Sequence, residues 1–477
     1  MAGLALAFGD EACAEALSDE NLLAAMARFE GALARASARA GIVPATEAQA
    51  IADVCARARF DATALARAAR PAGTLAIPFV KELTAQVAKV SPEAARHVHF
   101  GATSQDVVDT SLVLCLIPAA QRIASLLQRL GDAAAALARD HARTPTAART
   151  LLQPAIPVPF GWKAAGWLSL ATRARAQFGA AARAAAVLQF GGAGGTLSAY
   201  ADKGDLVAAA LAEELGLARV DITWHGARDR FARLGSECAI AAGTAAKIAR
   251  DVSLLMQPEV GEAFEPAGPG RGGSSSMPHK RNPVGCLAAL EAAHRAPGLA
   301  ATLLAQLAPE HERGLGQWQG QWLTLRELFG ATAGALAAMA EVLEGLQVDA
   351  AAMRANLART RGLVYSENLS VRLSASLGKA AAHALTETLC AAAARDGMEL
   401  LEAARREPQV GAAIGPAELA QLFEPERNFG AAAAMIERAL AAWKTPVQET
   451  SAGLPPPGSG EPGGTAESAA GAKTGSR

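Results

Sequence analysis

The stretch that most limits the fold of this chain starts at Thr103 and continues to about Asp140. Thr103 and Asp106 have the spacing of a capping box, and the residues after them read as one long helix, with a kink expected near Pro118. Three more long helices are predicted over 228–256, 284–307 and 318–346. Together they read as an extended central bundle. Helices this apolar on more than one face usually pair with other subunits. Ahead of them, to about residue 98, the pattern is helices with short breaks. Ser18-Asp19-Glu20 caps a helix over 22–40 that Gly41 ends, and its Leu22, Leu23, Met26, Phe29 and Leu33 share one core-facing stripe. A further helix is expected over 75–89, with Pro78 near its start, and shorter ones from about 349 to 444. Alanine is abundant and aromatics make up only 4% of the chain, so few residues favour strands. The fold class is therefore all-α. The expected organisation is an N-terminal helical domain over 1–100, the central bundle over 101–348, a C-terminal helical domain over 349–446, and a tail over 447–477. The Pro, Gly, Ser, Ala and Glu composition of that tail predicts disorder.

The formal net charge is −1, which excludes a global field for nucleic acid or a membrane surface. Any anion site must be local. Six cysteines are scattered without C-x-x-C or Cys/His metal spacing and read as buried free thiols of a reducing compartment. Early acids at Asp10 and Glu11, with no basic segment before an apolar one, argue against a signal peptide. No apolar run is expected to be long enough for a membrane span once charges are counted. A cytoplasmic protein with no metal and no organic cofactor is the expectation.

The chemistry concentrates in three breaks between helices. The first, over 271–283, reads R-G-G-S-S-S-M-P-H-K-R-N-P. Gly272 and Gly273 free the backbone, and Asn282-Pro283 is a good N-cap and first-turn pair. That arrangement places His279, Lys280 and Arg281 beside the positive end of a helix dipole, where anions gather and a serine hydroxyl loses its proton more easily. The second, His99-Phe100-Gly101-Ala102-Thr103-Ser104-Gln105-Asp106, is a hydroxyl-rich helix N-terminus. It is either a simple cap or a carboxylate cradle. The third, Arg149-Thr150-Leu151-Leu152-Gln153-Pro154-Ala155, is followed by Pro157 and Pro159, which forbid a regular helix and predict a turn. A helix over 160–188 and a loop at Gly191-Gly192-Ala193-Gly194-Gly195-Thr196 follow. The loop lacks a preceding strand, so it is no dinucleotide fingerprint.

G-S-S-S-M-P-H-K-R-N-P resembles the signature loop of the fumarase/aspartase superfamily, G-S-S-x-M-P-x-K-x-N. The resemblance spans about residues 8–443 and implies the superfamily's three-part helical fold and a homotetramer built on a central bundle, each site drawing on several chains. It implies that Ser274 is the base of the elimination direction, with Ser275, Lys280 and Asn282 on the substrate and Ser276 on the variable position. G-A-T-S-Q-D resembles a second substrate-contacting segment, which makes Thr103, Ser104 and Gln105 binding candidates and puts neighbouring His99 at the site. The resemblance makes Arg313, in Pro309-Glu310-His311-Glu312-Arg313-Gly314, a further contact to a substrate carboxylate; the bland reading is a solvated charged loop.

In relatives such as adenylosuccinate and argininosuccinate lyases a histidine in the third segment protonates the leaving nitrogen. Here the segment has Gln153 and no histidine. Glutamine is no general acid, but it hydrogen-bonds an anion. A carboxylate leaving group needs no proton, since its conjugate acid has a pKa of about 4. The chain is most similar to the branch of bacterial carboxymuconate cycloisomerases, in R-T-L-L-Q-P-A-I-P-V, F-G-G-A-G-G-T-L, G-T-L-A-I-P-F-V-K-E-L-T and H-F-G-A-T-S-Q-D-V-V-D-T. Pro154 and Trp162 depart from what that branch leads one to expect. The resemblance therefore implies a small tricarboxylate substrate and lactone closure by an internal carboxylate. The alternatives are an adenylosuccinate lyase-like enzyme that releases fumarate, and a non-catalytic relative like the lens crystallins of this superfamily. Intact Ser274, Lys280 and Asn282 argue against the latter.

Overall fold

The computed structural model describes residues 7–268, 270–274, 276–277 and 279–445. Its first long helix, α1 (Asp19–Arg39), is capped by the Ser18 hydroxyl, which accepts from Asn21 N at 3.1 Å. All five predicted stripe residues of α1 are buried. Next comes α2 (Ser104–Asp140), 37 residues and so about 55 Å long at 1.5 Å per residue. It runs through the exposed Pro118 without interruption. The chain returns along α3 (Phe160–Ala185), descends again in α4 (Asp229–Leu255), and adds α5 (Val284–Leu304) and α6 (Gln321–Glu344). The four helices expected to form the bundle pack on one another, and α3 joins them as a fifth member.

The fold is all-α as expected, and the proline-rich segment after α2 carries one of the two small strand pairs among the described residues. Pro145–Thr150 (β1) and Gln153–Pro159 (β2) form an antiparallel hairpin, with Thr150 opposite Gln153. Prolines that exclude a helix tolerate a two-stranded ribbon, because neither strand must serve two neighbours. A second, minimal pair joins β3 (Ala263–Phe264) to β4 (Gln347–Val348).

Burial is continuous from Cys13 in the N-terminal segment through the bundle to Met353, and it takes in Ile436, Leu440 and Trp443 of the last helix, α7 (Ala432–Lys444). Trp443 lies flat where Gly131 has no side chain; its indole donates to Asp132 Oδ1 at 2.8 Å, and the Arg175 guanidinium sits 3.7 Å from its ring centre. A separate apolar cluster between Leu369 and Leu419 gives the C-terminal helices their own core. The six cysteines are all free thiols, and all but Cys390 are buried.

One expectation is corrected here. An 18-residue window of α2 has a mean hydropathy of 1.6 and meets the length and composition of a membrane span. Because 72% of that window is buried inside the protein, its apolarity belongs to the bundle core.

Candidate active site

The direction of each helix assigns every candidate residue to one end of the bundle. At the end where α2 begins, Asp106 is a hub. Its Oδ2 accepts from Thr103 N at 3.0 Å and Gly192 N at 2.8 Å; its Oδ1 accepts from Gly191 N at 2.9 Å and faces His225 Nε2 at 2.7 Å. The predicted capping box is thus present and extended, since the same carboxylate clamps the 191–196 loop onto the helix start. Close approach needs glycine there: a Cβ on Gly192, whose φ is +69°, would meet Gly101 O at 2.8 Å.

Arg313 enters this end from the loop between α5 and α6. Its Nη1 donates to Thr103 Oγ1 at 2.9 Å, and its Nη2 donates to Gly192 O at 3.3 Å and Ala193 O at 3.0 Å. All three acceptors are neutral, and among the described residues Arg313 makes no ion pair. Its positive charge stays available for a carboxylate. His99 stands nearby with a left-handed φ of 59° and its Nδ1 2.6 Å from Oε1 of the buried Glu30. Burial presses the His99 pKa down, but the Glu30 charge and hydrogen bond outweigh it, and the net shift is upward. Ser104 opens α2 half-buried. Gln105 turns inward instead: its Nε2 donates to Asp109 Oδ2 and His225 O, both at 3.0 Å.

Sequence reasoning missed what lies beneath. Asp109 takes a two-pronged ion pair from the buried Arg228, at 2.7 and 2.9 Å. The guanidinium sits 5.0 and 5.3 Å from the ring centres of Trp224 and Phe231, which pack edge to face on one another. The signal was available: Asp106 and Asp109 are three apart just ahead of the apolar run from Leu112 to Ala120, and His225 and Arg228, which supply their partners, are likewise three apart.

The other end carries the serine loop and the hairpin. Asn282 N donates to Gly272 O at 2.8 Å, and Lys280 N to Met277 O at 3.0 Å, closing the loop on itself. The Ser274 hydroxyl accepts from Met277 N at 3.1 Å. Lys280 is exposed and makes no ion pair among the described residues. Ser275 lies outside the described residues. The predicted cap is corrected. Asn282 does not cap α5, which begins at Val284; its Nδ2 reaches back to Gly273 O at 3.4 Å. The free amides of Gly285 and Cys286 are taken by the buried Glu265 carboxylate, at 3.0 and 2.8 Å. An internal carboxylate already occupies that helix N-terminus, so the positive character of the loop rests on Lys280 and its basic neighbours.

Gln153 is exposed at the hairpin tip. The turn itself is Leu151 and Leu152, at φ 49° and 66°, and 97% and 74% exposed. Left-handed conformations cost a side-chain-bearing residue about 1–2 kcal/mol each. The hairpin is anchored close to its tip by Arg149, which lies opposite Pro154 and pairs with both oxygens of the buried Glu262 at 2.6 and 2.9 Å.

His99, Thr103, Ser104, Gln105 and Arg313 therefore share one end of the bundle, and Gln153, Ser274, Lys280 and Asn282 the other. Since α5, 21 residues and so about 30 Å long, runs from the serine loop to the loop that carries Arg313, one chain holds two separate half-sites.

A long helical bundle carrying a G-S-S-S-M-P loop at one end and a hydroxyl-rich helix start at the other defines a helical lyase. Residues 9–298 match the family described as Lyase and residues 362–439 the one described as Adenylosuccinate lyase C-terminus; the chain belongs to this lyase family, of the fumarase/aspartase superfamily. It is 50% identical over 425 residues to the 3-carboxy-cis,cis-muconate cycloisomerase of Bradyrhizobium diazoefficiens, covering 89% of this chain and 94% of the relative. It is 44% identical to the nitrosuccinate lyase of Streptomyces davaonensis, covering 89% and 91%. The crystal structure of the 3-carboxy-cis,cis-muconate lactonizing enzyme from Pseudomonas putida superposes with a TM-score of 0.88 at 43% identity, covering 92% of this chain and 98% of that one.

Proposed function

We propose that this chain is an enzyme that interconverts 3-carboxy-cis,cis-muconate and 4-carboxymuconolactone. One carboxylate of the substrate adds to an alkene carbon of the same molecule, a C–O bond forms, and the adjacent carbon takes a proton from Ser274. Proximity supplies much of the rate. Thr103, Ser104, Arg313, Lys280 and Asn282 hold the three carboxylates, with His99, Gln153 and Ser275 completing the pocket and the buried Gln105 bracing the helix start from beneath. The donors concentrate positive charge where the enolate-like intermediate builds negative charge. The observation that carries the reading is the hairpin tip. Leu151, Leu152 and Gln153 offer no general acid, which fits an oxygen leaving group that is already a stable anion. The 50% identity to a named cycloisomerase supports it.

The reaction needs both half-sites, so copies of the chain must bring opposite ends together; we read the assembly as a homotetramer in the cytoplasm, with 1–100, 101–348 and 349–446 as its domains. The strained leucines at the hairpin tip support a partner there, because their exposure in a lone chain is unfavourable. Mixing two inactive variants tests this. Ser274→Ala disables one end and Arg313→Ala the other. Co-refolded in equal amounts, they regain up to about a quarter of wild-type activity, as random assembly of intact pairs of ends requires. No recovery sinks the shared site.

A tip without an acid also suits nitrosuccinate, whose elimination expels nitrite, and a relative at 44% identity carries that name. Purified protein decides. We expect loss of carboxymuconate absorbance, with no fumarate released from nitrosuccinate or adenylosuccinate. Fumarate release without muconate turnover overturns the cycloisomerase reading.

A further inference from the structure

At the hairpin end, a cavity of about 950 Å³ opens between the start of α3, the end of α4, the tip side of the hairpin at Arg149 and Leu152, and α7. None of the residues assigned above to the substrate lines it. Its size lies within the range of small-molecule sites, and most of its wall is apolar, with Trp162, Leu170, Leu254 and Met435 facing in. Four basic side chains and one acid complete the lining: Arg149, Lys163, Lys247 and Arg438 against Asp251. Two of these cations are already neutralised. Arg149 is held by Glu262 and Lys247 by Asp251, which also accepts from Trp167 Nε1 at 2.8 Å.

Lys163 and Arg438 remain. Among the described residues neither makes an ion pair or a side-chain hydrogen bond, and they approach the cavity from two different helices, α3 and α7. Lys163 is half-buried, and burial, reinforced by the Arg149 charge, lowers its pKa. Glu262 and Asp251 act on Lys163 only from a distance, each already paired with another cation, so a half-buried ammonium without a direct partner is costly, and an incoming carboxylate lowers that cost. A neutral apolar molecule leaves it in place. A highly charged phosphate would forfeit the aromatic and aliphatic walls.

We propose that this cavity is a second ligand site, built for an amphipathic organic acid whose carboxylate meets Lys163 and Arg438 and whose aromatic or branched aliphatic body lies against Trp162 and Leu254. The cavity shares no lining residue with the reaction site, although Leu152 on its rim is the chain neighbour of Gln153, and its existence does not depend on which reaction the enzyme performs.

Calorimetric titration of the full-length protein with benzoate, and with benzyl alcohol as its uncharged counterpart, tests it. Benzoate is expected to bind once per chain, at least tenfold more tightly than benzyl alcohol. The double variant Lys163→Met/Arg438→Met is expected to lose at least tenfold in benzoate affinity while turning over substrate at the wild-type rate. Arg438→Ala alone, an exposed change, is expected to lose part of it. Arg313→Ala, at the opposite end, is expected to leave benzoate binding unchanged. The proposal is overturned if millimolar benzoate gives no binding heat, if the double variant binds it as wild type does, or if Arg313→Ala abolishes binding, which would place the acid in the reaction site instead.

Discussion

Ser274→Ala is expected to lower kcat by roughly 10²–10⁴-fold, the loss that follows removal of a proton-transfer group. The fold should not change. Ser274 is half-buried, and its hydroxyl takes hydrogen bonds from Met277 N and, at 3.4 Å, Ser276 N, both in its own turn. Nothing in the bundle core leans on it. The thermal midpoint should therefore stay with that of the wild type while the rate falls. Measuring both on one preparation separates chemistry from folding. A variant that turns over carboxymuconate at the wild-type rate removes Ser274 from the mechanism.

Asp109→Ala is expected to have the largest effect on stability, about 3–5 kcal/mol by chemical denaturation. Asp109 and Arg228 are both buried, and the guanidinium rests against the Trp224–Phe231 ring pair. Removing the acid strands a cation in the core and also takes an acceptor from Gln105 and Gln189. The exposed pair Arg129–Glu344 is the control. It has similar geometry at 2.8 Å but sits in solvent, so Glu344→Ala should cost no more than about 1 kcal/mol. Equal losses from the two substitutions would contradict the assignment of burial as the deciding factor.

Helix periodicity made most of the fold legible in the sequence. The boundaries of α2, α4 and α6 fall within a few residues of the expected ones, because caps such as Thr103 and long apolar stripes act locally. What local pattern does not carry is where a side chain finds a distant partner. The Asn282-Pro283 pair has good cap chemistry, yet Glu265 reaches the amides of α5 first, since the β3–β4 pairing delivers its carboxylate there. The hairpin was foreseen as a turn because three prolines are decisive against helix but silent about pairing. The site was legible as motifs and illegible as a place. Nothing in the spacing of Thr103, Gln153 and Ser274 says that a 37-residue helix holds the first of them apart from the others.

That rod-like separation has an arithmetical consequence. Each chain contributes one copy of each end, so any closed symmetric assembly in which every end is matched contains as many complete pockets as polypeptides, with none left over. Diluting the enzyme until its subunits part should then extinguish turnover in proportion to the chains released, while every released helix remains folded.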